Sequence, residues 1–140
     1  MVRIFYREGR EIKREIDIRL LGQLSNLVWV DLQSPTVEEE EWVENKCNIS
    51  FQTPQEIVEI ESSSRYFEQN GTINANSNFL EMDTNGFERY PVSFIMSESV
   101  LFTYRRGDSK TFADTVKKVK VSPETFQTGF DFMLTLLETR

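Results

Sequence analysis

Four consecutive glutamates, Glu38-Glu39-Glu40-Glu41, are the densest charge in this chain and the first place to look for chemistry. As a site they would be a cation trap. Successive residues on a helix splay around its axis, so four in a row cannot converge on one ion. In a first helical turn they oppose the positive helix end instead, and they read as a solvated start. Cys47 is the only cysteine and there is no histidine. Cys/His zinc sites, Cys/His nucleophile pairs, Ser-His-Asp triads and disulfide frameworks are therefore impossible within the chain. Cys47 lies among polar residues and reads as partly buried and inert. The 6 glycines are dispersed and build no phosphate-cradling loop. Paired carboxylates for acid–base work occur only as generic surface residues. Trp29 and Trp42 each sit in an apolar periodic pattern and read as core anchors. No enzyme constellation stands out, and the expected class is not an enzyme.

The elements that must position these residues belong to one domain. At 140 residues and 16.5 kDa, the chain can bury about two thirds of its unfolded surface. A hydrophobic content of 39% with 11 Phe supplies a core and excludes disorder. The longest apolar runs, Leu27–Val30 and Met133–Leu137, fall far short of the ~20 residues that span a bilayer. The start, MVRIFYREGREIKREI, is alternating and charged, unlike a signal or transit peptide. The segment reads as soluble and cytosolic. Its formal net charge of −7 argues against a nucleic-acid surface, which needs clustered cations over phosphates. Asn48-Ile49-Ser50 and Asn70-Gly71-Thr72 match glycosylation sequons, which carry no information without a secretory signal.

Val2–Tyr6 and Glu11–Asp17 alternate apolar and polar around Glu8-Gly9-Arg10, the pattern of an opening hairpin. Val28–Leu32 is a β-rich run closed by Ser34-Pro35. Thr36-Val37-Glu38-Glu39 is a capping box before a helix over Val37–Lys46, and Thr53-Pro54-Gln55-Glu56 is a second before a helix over Pro54–Ser63. Arg65–Glu68 and Thr72–Met82 flank the Asn70-Gly71 hairpin signal, with a further bend at Asn85-Gly86. Pro91–Met96 and Val100–Arg105 are strands around Ser97-Glu98-Ser99. Helix returns at Thr111–Val119. A last helix is expected from Ser122 as N-cap and Pro123 at the first helical position, with Phe126, Phe130, Met133, Leu134 and Leu137 as its apolar stripe. No stop signal follows it, so the chain reads as a fragment cut within a helix. The order predicts an α/β/α sandwich on a mixed, largely antiparallel sheet of about seven strands flanked by helices.

WVDLQSP before an acidic helix, FQTPQEIVEI leading into SSRYFEQNG, then PVSFIMSESVLFTYRR, FADTVKKV and FDFMLTLLETR together resemble the N-terminal cytoplasmic domain of CorA-type magnesium and cobalt transporters. The resemblance covers nearly the whole chain in the same order. It implies a single cytoplasmic domain over residues 1–140, truncated before a stalk helix, two transmembrane helices and a Gly-Met-Asn pore signature. It further implies a homopentamer at the cytoplasmic face of the membrane that conducts divalent cations. In such proteins the soluble domains sense Mg²⁺ as a regulatory ion through carboxylates at subunit interfaces.

Carried over residue by residue, the family's adjacent acidic pair falls on Gln55-Glu56, where only Glu56 keeps a charge. A second family carboxylate falls on Glu138. The resemblance thus names Glu56 and Glu138 as metal ligands, while the residues alone also read as a capping-box acid and a solvent-facing helix residue. Mg²⁺ sheds its waters reluctantly and takes few protein carboxylates, so the isolated chain is expected to bind it weakly, in the millimolar range or worse. It is expected to be a monomer or a weak oligomer. Two rival readings are a zinc-transporting relative of the same family and a self-contained cytosolic α/β binding module.

Overall fold

In the computed structural model, residues 1–51, 66–69, 72–83 and 86–139 are described. The second capping box with its helix over Pro54–Ser63, and with it Glu56, lies outside them, as does the Asn70-Gly71 turn.

The opening hairpin pairs β1 (Val2–Glu8) with β2 (Glu11–Glu15), and Glu8 opposite Glu11 leaves Gly9-Arg10 as a two-residue turn. Gly9 has φ +64°, a left-handed conformation that glycine adopts without steric cost. A short 3₁₀ turn at Ile18–Leu20, capped by the Asp17 carboxylate, leads to β3 (Leu27–Gln33). The helix α1 (Val37–Cys47) starts on the expected capping box: the Thr36 hydroxyl accepts from Glu39 N–H at 3.1 Å, and Glu39 accepts from Thr36 N–H at 2.9 Å. It ends at Asn48 in the left-handed region, φ +53°. Four strands follow, β4 (Tyr66–Gln69), β5 (Thr72–Asp83), β6 (Gly86–Ser97) and β7 (Val100–Arg105), and then the helices α2 (Lys110–Val121) and α3 (Gly129–Thr139).

Among the described residues the sheet has seven strands in the order β2-β1-β3-β7-β6-β5-β4. Only β3 and β7 run parallel; every other described neighbour pair is antiparallel. Side chains alternate between two buried layers. On one face Phe5, Trp29, Phe94 and Leu101 pack with Phe112 of α2 and Phe132 and Leu136 of α3. On the other, Ile4, Val30, Ile95 and Phe102 pack with Val43 of α1, and Trp42 covers that cluster. Helices thus cover both faces, the α/β/α arrangement the sequence predicts. Trp29 is wholly buried and stacks on Phe5 at 4.7 Å between ring centres. Trp42 donates to Ile18 O at 2.7 Å, tying the 3₁₀ turn to α1.

Two expectations need correction. Strand β6 begins at Gly86 rather than Pro91, because it pairs with β5 from Gly86 opposite Asp83 onward, while its ladder with β7 starts only at Val92. The N–H that Pro91 lacks therefore removes no rung on that side. The last helix starts at Gly129, not at Ser122. Ser122, Pro123 and Glu124 are spent on closing α2 and on a 3₁₀ turn at Pro123–Thr125. With the start displaced, the apolar stripe turns: Phe132 and Leu136 are buried while Phe130 and Leu134 are 49% and 42% exposed. Gly129 explains the shift. A Cβ there would fall 2.8 Å from Val28 O and closer still to Leu101 N, and Gly129 N–H donates to Ser99 O at 2.6 Å. Only a glycine lets the helix start lie this close to the sheet. The Asp131 carboxylate then accepts from Gln127 and Thr128 N–H at 2.8 and 3.1 Å, satisfying donors at the new start.

Candidate functional site

Of the two metal ligands named from the sequence, Glu56 lies outside the described residues and Glu138 is placed. It stands exposed on the last turn of α3, at the edge of an open groove of about 470 Å³ between α2 and α3. Lys117, Lys118 and Val121 of α2 line the same groove, with Phe126 and Thr135. Two ammonium groups sharing a groove with one carboxylate oppose cation binding there. Among the described residues, no group of three or more Asp, Glu, Cys or His could hold a metal. The described residues alone therefore do not fit a closed Mg²⁺ shell; a donor from elsewhere would have to complete one.

The glutamate run fans out as helix geometry requires. Glu39 is held in the capping box, and the backbone hydrogen bond from Thr36 keeps its carboxyl below the ordinary value. Glu40 accepts from the Tyr104 hydroxyl at 3.1 Å, a group pushed up chiefly by burial and further by that carboxylate. Glu38 and Glu41 are exposed. Glu44 accepts from Phe51 N–H at 3.2 Å, and burial raises it against that hydrogen bond. Burial also pushes the Cys47 thiol up to about 11, so it is unreactive near neutral pH.

The densest buried polar cluster was not singled out from the sequence. Asp31, 1% exposed toward the carboxyl end of β3, accepts from Arg105 Nε at 3.2 Å and Nη2 at 3.0 Å, from Arg3 Nη1 at 3.2 Å and from the Thr103 hydroxyl at 2.8 Å. Thr103 in turn accepts from Trp29 Nε1 at 3.0 Å. Arg105 also donates to Gly107 O at 2.7 Å and lies over the Phe112 ring at 4.1 Å. A signal was present in the sequence: an aspartate inside the apolar run VWVDL can be buried only if paired.

The cluster sits at the carboxyl ends of the two parallel strands, from which α1 leaves to one face and α2 to the other. In open α/β sheets such a switch point often opens a ligand crevice. Here the two ends are laced together instead: Gln33 donates to Asp108 at 2.5 Å, Ser34 N–H to Arg105 O at 2.7 Å, and Gly107 N–H to Ser34 Oγ at 3.1 Å. The arrangement is a lock joining the sheet halves. Under the α2–α3 groove, Arg7 of β1 donates from Nη2 to Pro123 O at 2.9 Å and to Phe126 O, fixing the connector between the helices.

Residues 25–139 match the family described as CorA-like Mg²⁺ transporter protein. The magnesium transport protein CorA of Campylobacter jejuni (strain RM1221) is 30% identical over 151 aligned residues, covering all of this chain and 46% of that protein. The chain thus spans about half the length of the curated relatives it matches. Its fold is that of part of the complete CorA magnesium transporter from Methanocaldococcus jannaschii, with TM-score 0.69 at 15% identity over 99% of this chain and 43% of that one. It is also that of the ZntB cytoplasmic domain from Vibrio parahaemolyticus, with TM-score 0.65 at 8% identity over 97% and 55%. Fold alone therefore does not choose the cation.

Proposed function

Because the chain belongs to the family of CorA-like Mg²⁺ transporter proteins, we propose that it is the cytoplasmic regulatory domain of a divalent-cation (Mg²⁺/Co²⁺) transport channel. The carrying observation is the family match over most of the chain, with curated relatives such as the C. jejuni protein named for magnesium transport rather than zinc. On this reading the chain is a single domain, catalyses no reaction and handles no nucleic acid. It works at the cytoplasmic face of a membrane, among identical subunits of a pentamer. No described helix is long and apolar enough to cross a bilayer.

Regulation by Mg²⁺ is the finer part of the proposal. Glu56 and Glu138 would each supply one carboxylate to a site completed by another subunit or by residues outside this chain. An ion that bridges acidic neighbours across subunits gains differential affinity for one assembly, which any ligand-driven shift requires. Glu138 shares its groove with Lys117 and Lys118, which makes it the weaker of the two.

Transport by the whole protein tests the reading. Expressed in a cell lacking Mg²⁺ uptake, it should restore growth at low Mg²⁺, and its cation current should fall as cytoplasmic Mg²⁺ rises. Zinc transport without Mg²⁺ transport would move the assignment to the zinc-transporting relatives. Absence of any cation flux would leave a self-contained binding module.

A further inference from the structure

From the way one guanidinium holds it, we propose that the turn Pro123–Phe126 is a strap on the α2–α3 groove. It lifts as a unit while the rest of the fold stays closed, with Arg7 as its latch. The backbone bonds of the turn are local: Thr125 N–H donates to Ser122 O at 3.2 Å and Phe126 N–H to Pro123 O at 3.1 Å. Among the described residues, its hydrogen bonds to the sheet come from Arg7 alone, which donates from Nη2 to Pro123 O at 2.9 Å and to Phe126 O. The flanks are fastened separately. Ser122 N–H donates to Lys118 O at 2.9 Å and closes α2. Gly129 N–H reaches Ser99 O, and the Asp131 carboxylate takes Gln127 and Thr128 N–H. The turn can therefore leave the sheet without unwinding either helix.

Two opposing features set how firmly the strap is held. The Phe126 side chain is buried, with its ring centre 4.7 Å from that of Phe132, so the closed position is the ground state. Against this, Arg7 is half-buried, and no carboxylate pairs with it among the described residues. Its Nε lies out of solvent without a partner. A donor left dry costs free energy, and that cost is recovered when the strap lifts and water reaches the guanidinium. Lifting therefore takes less free energy than unfolding the chain, the mark of a segment that opens locally. It also reshapes the groove: Thr125 and Phe126 leave its wall, while Lys117 and Lys118 on α2 and Glu138 on α3 remain. The strap is read from this chain's own bonding and does not depend on metal binding or transport.

Native-state hydrogen exchange, read amide by amide, tests it. In low urea the Thr125 and Phe126 amides should exchange at rates nearly independent of urea, because lifting the strap exposes little surface. The amides of β3 and β7 should instead follow global unfolding and quicken steeply with urea. Arg7→Met keeps an apolar stem and removes the guanidinium. It should speed exchange at Thr125 and Phe126 at least about tenfold, the scale of one hydrogen bond from a charged donor. Val43→Ala, which weakens the opposite layer of the core, should quicken β3 and β7 and leave those two amides unchanged. Thr125 and Phe126 that track β3 and β7 in urea or in Val43→Ala would overturn the strap. Unchanged exchange at both in folded Arg7→Met would overturn the latch. The wild-type urea series decides the matter by itself if either variant fails to fold.

Discussion

Asp31 and Arg105 meet across the only parallel strand pair among the described residues, with two guanidinium nitrogens on the two carboxylate oxygens at 3.2 and 3.0 Å and both side chains nearly out of solvent. Removing one partner leaves a buried, uncompensated charge. Asp31→Ala should destabilise the chain by about 3–5 kcal/mol in urea denaturation. Asp31→Leu combined with Arg105→Met should recover much of that loss, because an apolar pair carries no desolvation cost. A double variant no more stable than Asp31→Ala would mean that the cluster contributes through its further bonds to Arg3, Thr103 and Gly107.

Gly129→Ala should be disproportionately costly for so small a change. The added methyl meets the backbone of β3 and β7, which cannot move aside as a flexible side chain could. A loss of about 1–3 kcal/mol is expected, measured by denaturation midpoint. An unchanged midpoint would show that α3 can lift from the sheet without penalty.

What the sequence could and could not disclose follows from these same residues. The first hairpin, β3 and the capping box of α1 were legible because their signals are local: an alternation, a glycine turn, Thr36 three residues before Glu39. The start of α3 was not. Ser122-Pro123-Glu124 carries every local mark of a helix start, and a 3₁₀ turn uses them. The real start is set by distant backbone at Ser99, Val28 and Leu101, which no window around residue 129 contains. Of the candidate site, the position of Glu138 on the last helix was legible. Its lysine neighbours on α2 were not, because the contact is tertiary.

The capping box gives a pH dependence. Hydrogen bonding holds Glu39 below its ordinary value of 4.5 in the folded chain. The stabilisation it brings is therefore fully present above about pH 4.5 and is lost as pH falls through the lower, folded-state value. The difference in stability between the wild-type chain and Glu39→Gln should shrink on acidification through that window. Thr36→Ala should cost about 1 kcal/mol near neutral pH. A Glu39→Gln difference that grows on acidification would reverse the assignment.

Cys47 should resist alkylation. With its thiol pushed up to about 11 from an ordinary 9.0, the folded chain holds about a hundredfold less thiolate at pH 8 than an exposed cysteine. Iodoacetamide labelling should be slow in the folded chain and should accelerate on unfolding in urea. Equal rates in both states would place the thiol in solvent.

For the proposed regulation, the isolated chain should bind Mg²⁺ no tighter than the millimolar range, roughly −4 kcal/mol, in calorimetric titration. In the whole protein, Glu56→Ala should weaken inhibition by cytoplasmic Mg²⁺ and leave ion selectivity unchanged, with Glu138→Ala having the smaller effect. Unaltered Mg²⁺ dependence in Glu56→Ala would reduce that residue to a helix cap.

The parallel pairing of β3 with β7 joins residues far apart in the chain, as the hydrogen bond from Trp29 to Thr103 over 74 positions shows. During synthesis the first three strands therefore emerge with one flank of β3 unmatched, and they stay so until nearly three quarters of this sequence has left the ribosome. Closing so long a loop is entropically slow, and a bare strand edge rich in Val, Trp and Leu is a template for wrong pairings. The nascent chain is most exposed to aggregation during that interval, and shielding by a chaperone would matter most then.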